Sequence, residues 1–170
     1  MNIIIDGYNL IRQSDRMRRF ERIGLEAGRR ALIRKISLYK KTRGHKITVV
    51  FDGWLNGPSE EEREREGGIL IIYSKKGEKA DEVIKRIVRH SSEEILVVTS
   101  DRELANAVQR AGAAAIPSHI FEERMEAGPR GNGETEKEED DRPSPGTRKK
   151  GPSKRASRRE KMLLTRMKKL

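Results

Sequence analysis

The chain has 170 residues, a formal net charge of +11, no cysteine and no apolar run long enough to cross a bilayer. This excludes disulfides, thiolate zinc sites and a membrane-spanning helix, and fits one soluble domain with attachments. The chain starts directly on the strand-like MNIII instead of a charged leader with a long apolar core, so a cytoplasmic location is expected.

Five short Ile/Val-rich runs read as strands of the kind buried in a parallel sheet, at residues 2–5, 46–51, 68–73, 94–98 and 113–116. Helical patterns lie between them. The longest covers 22–42, with Leu25, Leu32, Ile33, Ile36 and Tyr39 on one face and Gly44 as its stop. A second covers 80–90 with Val83, Ile84, Ile87 and Val88 inward, and a third 101–111 with Leu104, Ala105 and Val108 inward. A fourth covers 118–125, just after Pro117. The alternation predicts an α/β domain, with helices on both faces of a mostly parallel sheet. Only the segment DGWLNGPSEEEREREGG, between the second and third strands, shows no such pattern and reads as a long loop.

The domain is expected to fill residues 1–127. Residues 128–154 are rich in Gly, Pro, Ser and charge and bury too little to repay the entropy of ordering, which predicts a disordered linker. Residues 155–170 set Met162, Leu163, Leu164, Met167 and Leu170 among cations, a pattern compatible with a basic amphipathic helix that folds on a partner. Between Arg148 and Leu170 eleven basic residues face the single Glu160, so the basicity belongs to the tail and not to the body.

Four aspartates fall where apolar runs meet loops or helices: Asp6, Asp52 and Asp101 after the first, second and fourth strands, and Asp81 at the start of a helix. Helix capping alone explains Asp81 and Asp101 taken singly. The combination says more. In an open parallel sheet, ligands bind at the carboxyl edge where the strand order reverses. With the first and fourth strands flanking that reversal, Asp6 and Asp101 face each other and Asp81 leans in. Clustered carboxylates either take up protons or hold a cation, and an all-oxygen ligand set points to magnesium or manganese. Asp6, Asp81 and Asp101 are the expected metal ligands and catalytic residues. Asn9 can hold a ligand or a carboxylate in place, and Ser100 and Thr99 can hydrogen-bond phosphate or a carboxylate.

The run IIIDGYNLI, followed by VVFDG, KADEVIKRIV and VVTSDREL, closely resembles the YacP-like branch of the NYN-domain proteins, in the PIN-like ribonuclease superfamily. The resemblance covers about residues 1–125. It implies a three-layer PIN-like fold with five strands in the order third, second, first, fourth, fifth. It also implies a metal-dependent endoribonuclease, and action on messenger RNA at the ribosome. Asp6 and Asn9 match the family's D-G-Y-N motif, Asp52 its F-D motif, Asp81 its A-D-E motif and Asp101 its S-D motif. Glu82, one position on from Asp81, is turned about 100° away along the helix. The Gly/Pro-rich linker and basic end depart from the charged helical extension of the family.

For RNA, Tyr8, Tyr73 and Trp54 are candidate stacking platforms. Arg102 with Arg148, Lys149, Lys150, Lys154, Arg155, Arg158 and Arg159 are candidate phosphate contacts. Other doubly wound folds are disfavoured. The second acid and lysine of a receiver domain are missing, Tyr8 stands where a dehalogenase-type phosphatase has its second aspartate, and no dinucleotide fingerprint or phosphate loop follows the first strand. The alternative is a catalytically inactive RNA- or ribosome-binding module. In it the acids are caps, and Arg16, Arg18, Arg19, Arg29, Arg30, Arg34 and Lys35 grip RNA.

Overall fold

A computed structural model describes residues 1–53, 57–127 and 158–170, with side chains of the last stretch from Lys161 onward. The expected linker 128–154, Trp54, and the cations Arg148, Lys149, Lys150, Lys154 and Arg155 lie outside the described residues, as do the side chains of Arg158 and Arg159.

Strands β1 (Asn2–Asp6), β2 (Lys46–Phe51), β3 (Glu62–Glu66), β4 (Ile69–Tyr73), β5 (Ile95–Val98) and β6 (Ala114–Ile116) form one sheet. Their order is β3-β4-β2-β1-β5-β6, with β3 antiparallel to β4 and the other neighbours parallel. The five parallel strands follow the order that the family resemblance implied. Side chains alternate across a strand, so Ile3 and Ile5 enter the core on one face of the sheet and Ile4 the core on the other. Because both faces are covered, the strands read as unbroken apolar runs rather than as apolar–polar alternation.

Strand β3 corrects the sequence reading, which had a loop there. Its residues, ERERE, are exposed throughout and carry no apolar signal. The signal that does exist is the Gly67-Gly68 pair, with φ of 56° and 78°, which closes a two-residue hairpin. A Cβ at Gly67 would strike the Ser37 hydroxyl. Charges at every position of an edge strand also discourage pairing with another chain.

Helices α1 (Gly7–Gln13), α2 (Asp15–Glu21), α3 (Leu25–Lys41) and α6 (Ser118–Glu126) pack on one face of the sheet; α4 (Ala80–His90) and α5 (Arg102–Arg110) pack on the other. The sequence reading missed α1 and α2. Each has seven residues, too few to show a helical period. Ser14 joins them: its oxygen accepts the Met17 N–H at 3.2 Å and its hydroxyl donates to Glu122 of α6 at 2.6 Å. Leu25, expected inside, is 45% exposed, because α3 has only just begun there and its first turn stands at the mouth of a cleft.

Helix α7 (Arg158–Lys169) forms where an amphipathic helix was expected, but its apolar face is not left for a partner. Met162, Leu163, Met167 and Leu170 pack into the core on the α3 face of the sheet, beside β6. Arg166 donates to the Ile95 carbonyl at 2.6 Å, Lys169 pairs with Glu94 at 2.8 Å, and the Tyr39 hydroxyl donates to the Leu170 carbonyl at 3.1 Å. Among the described residues no helix is long and apolar enough to cross a membrane.

Candidate active site

Strand β1 pairs with β2 on one side and with β5 on the other, so the chain order reverses beside β1. At the carboxyl edge of that reversal lies a cleft of about 830 Å³, lined by Asp6, Asp52, Asp81 and Asp101 together with Asn9 and Tyr8. Four aspartates from four separate segments therefore share one cavity, three of them at or just after strand ends and Asp81 in the first turn of α4.

Asp6 ends β1 and caps α1, accepting the Asn9 N–H at 3.2 Å. Gly7 follows because a Cβ there would run into the Phe51 ring, and only glycine lets α1 start against β2. Asp6 is 8% exposed, and burial pushes its carboxyl up to about 6, helped by the charges of Asp81 and Asp101 and opposed by the hydrogen bonds from Asn9 and Thr99. Asp81 sits in the first turn of α4, whose N-terminal position, Lys79, caps the helix with no side-chain hydrogen bond. Burial again raises its carboxyl, with Asp101 adding to the rise and Lys85 and Lys79 opposing it. Asp101 caps α5 by accepting the Leu104 N–H at 2.9 Å, so capping and site membership coincide there.

The loop after β5 is held by groups whose roles differ from those the sequence offered. Asn9 Oδ1 accepts both the Ser100 N–H and the Ser118 hydroxyl, each at 2.8 Å, so the amide oxygen ties the β5–α5 loop to α1 and α6. Ser100 Oγ accepts the Ser118 N–H at 3.1 Å and is a fastening of the same kind. Thr99 is the group that touches the acids: its hydroxyl donates to Asp6 at 3.4 Å and accepts the Asp101 N–H at 3.1 Å. Ser118, buried at the start of α6, was invisible in the sequence because the partner of its hydroxyl, Asn9, lies 109 residues away. On the far side, Gly53 follows Asp52 and donates its N–H to Ser74 Oγ at 2.8 Å; a Cβ there would collide with the Ser74 carbonyl.

Other expected contacts are rearranged. Tyr8 is only 9% exposed and meets Phe51 edge-on at 5.3 Å, with the Arg12 guanidinium 5.5 Å from its ring. Tyr73 stacks on Phe51 at 5.7 Å, carries Arg29 at 5.4 Å and donates its hydroxyl to Glu64 at 2.7 Å. Arg102 is exposed and does not line the cleft, whereas Arg12, Arg29 and Lys79 do. Glu82 faces solvent and pairs with Lys85 at 2.8 Å, as its helical position required.

An all-oxygen donor set that raises its own protonation constants suits a hard divalent cation. Among the described residues, no three acidic or histidine side chains are gathered at metal-ligand distance. The charges of Asp81 and Asp101 act on Asp6, and that of Asp101 acts on Asp81.

A three-layer α/β domain with this carboxylate cleft is the architecture of a PIN-like nuclease, and the chain belongs to the YacP-like NYN domain family of that superfamily, whose family model matches residues 3–169. The match runs through α7, in keeping with that helix being part of the domain. The chain is 29% identical to YacP of Bacillus subtilis (strain 168) over 102 residues, which takes in 58% of this chain and 59% of that protein. It also resembles the crystal structure of Rae1 (YacP) from Bacillus subtilis, with a TM-score of 0.62 and 25% identity over 75% of this chain and 74% of the other. A mutant of Rae1 gives a TM-score of 0.63 at the same identity, covering 75% of each chain.

Proposed function

We propose that this protein is a divalent-metal-dependent endoribonuclease that hydrolyses RNA phosphodiester bonds, with messenger RNA at the ribosome as its setting. The observation that carries this reading is the meeting of Asp6, Asp52, Asp81 and Asp101 around one cleft at the point where the sheet order reverses. In this reading Asp6, Asp81 and Asp101 hold magnesium or manganese. A cation bound there supplies an acidified water and offsets the charge that builds on the phosphate. Asp6 is ionised at pH 7 but takes up a proton near pH 6, so protons and the cation compete for the site. Thr99 keeps the Asp6 carboxylate oriented, and Asn9 and Ser100 fix the loop that presents Asp101. Asp52 adds negative charge at the β2 side of the cleft.

The test is incubation of the purified chain with structured and single-stranded RNA, with magnesium, manganese or chelator. Cleavage is expected only with the metal. Metal-independent cleavage would overturn the mechanism, and RNA retention without cleavage in every condition would put the inactive binding module in its place.

A further inference from the structure

The cleft has a second wall that the acids do not use. Five side chains follow one another along the β2–β4 side of the cleft: Arg12, Tyr8, Phe51, Tyr73 and Arg29. Successive rings lie 5.3 and 5.7 Å apart, and each terminal guanidinium lies 5.5 or 5.4 Å from its tyrosine. Arg12, Tyr8, Tyr73 and Arg29 all line the cavity that holds the aspartates. The sheet order sets Asp6 and Asp101 on the β1–β5 side and Phe51 and Tyr73 on the β2–β4 side. A guanidinium laid on a ring keeps its N–H donors in its own plane, pointing past the ring; of those on Arg12, Nε donates to Glu21 at 3.4 Å. Arg29 Nε is buried and finds no hydrogen-bond acceptor among the described residues. A buried donor of this kind is normally satisfied, so Arg29 Nε holds hydrogen-bonding capacity that none of the described residues uses.

We propose that Arg12 and Arg29 form a phosphate-binding wall for the RNA strand, each contacting a backbone phosphate beside the scissile one. The proposal rests on the nuclease reading for its substrate. A phosphate fits a planar fork in two-point contact, and neighbouring phosphates of one strand can engage the arginines and the cation-loaded acids together. One face of Tyr8 and one of Tyr73 carry a guanidinium, and both rings also contact Phe51, so the tyrosines hold arginines instead of stacking bases. Recognition at this wall therefore reads the backbone and ignores base identity.

The experiment measures binding of fluorescein-labelled oligouridylate and oligoadenylate to the full chain in chelator, across a potassium chloride series, by anisotropy. Arg29→Met is expected to weaken both RNAs about tenfold and to lower the salt slope by about one, the signature of one lost phosphate contact. Arg29→Lys restores the slope but not the full affinity, because an ammonium lacks the fork and the stacked plane. Arg12→Met, at an exposed position of α1, tests the wall independently should Arg29→Met impair folding. With metal present, the same variants are expected to raise KM several-fold with kcat nearly kept. Unchanged affinity and slope in both Met variants would overturn the proposal, as would a loss confined to one homopolymer, which would mean base readout. Arginine-dependent binding with no cleavage by the wild-type chain would sink the nuclease reading and leave the wall standing; metal-dependent cleavage with KM indifferent to both arginines would do the reverse.

Discussion

Asp6 shows how one carboxylate serves the fold and the site at once, and at a cost. It closes α1 as a cap, yet it is buried beside two other carboxylates, so its proton is held up to about pH 6 against an ordinary 3.8. A raised carboxyl means that the native state binds the proton more tightly than the unfolded chain does. The contribution to stability is therefore complete below about pH 4 and is lost as pH rises through about 6. Asp6→Asn keeps an oxygen for the Asn9 N–H and removes the charge. In chelator it is expected to raise stability at pH 7.5 by at most roughly 3 kcal/mol and to have little effect near pH 4, as read from urea unfolding at the two pH values. A loss of stability at pH 7.5 would mean that the ionised form is favoured in the fold. Asp101→Asn is a separate test. Asparagine also caps a helix, so the Leu104 bond survives and the melting temperature should hold, while the cleavage rate should fall by orders of magnitude.

Among the elements, α7 carries the largest revision. Cutting the chain near Gly128 looks harmless in the sequence, since the residues beyond it are basic and polar. In the fold, the cut strips Met162, Leu163, Met167 and Leu170 from the core and frees Glu94 and the Ile95 carbonyl from Arg166. Helix α7 also lies against β6, the edge strand on that side of the sheet. Full burial of one Leu or Met side chain is worth about 1.5–3 kcal/mol, so deletion of α7 is expected to cost several kcal/mol. Hydrogen exchange should quicken first in β5 and β6. An unaltered thermal midpoint after deletion would show that the helix contributes nothing to the domain. The hairpin makes a smaller demand of the same kind: Gly67 and Gly68 carry the positive φ, so β3 depends on two residues that bury nothing.

At the scale of the whole molecule, charge and cation loading are linked. Much of the net +11 lies after Gly146, but Arg166 and Lys169 are committed to Glu94 and cannot also be free phosphate contacts. A ligand that binds only the native state stabilises it by mass action, by about 2.7 kcal/mol at a hundred times its dissociation constant. Manganese or magnesium is thus expected to raise the melting temperature. The rise should be larger at pH 7.5 than at pH 5.5, because Asp6 carries a proton at the lower value. Asp81→Asn should shrink the rise at both. A metal effect indifferent to pH and to Asp81 would place the ion elsewhere.

The five parallel strands, helices α3 to α6 and the aspartates were legible in the sequence because each is written locally: Ile/Val runs buried on both faces, helical spacing of apolar residues, and acids at the element boundaries. The resemblance carried the sheet order. What stayed hidden depends on pairing across distance. ERERE is a strand only because β4 offers it an edge, and α7 is part of the domain only because the core beside β6 leaves an apolar surface for it. The sequence supplied Asn9, Ser100 and Thr99 as polar groups near the site but could not divide their work, which is set by Ser118 and by the geometry of the reversal beside β1. The rise in the Asp6 carboxyl is likewise a tertiary fact, since desolvation and neighbouring charge exist only once the four segments have met.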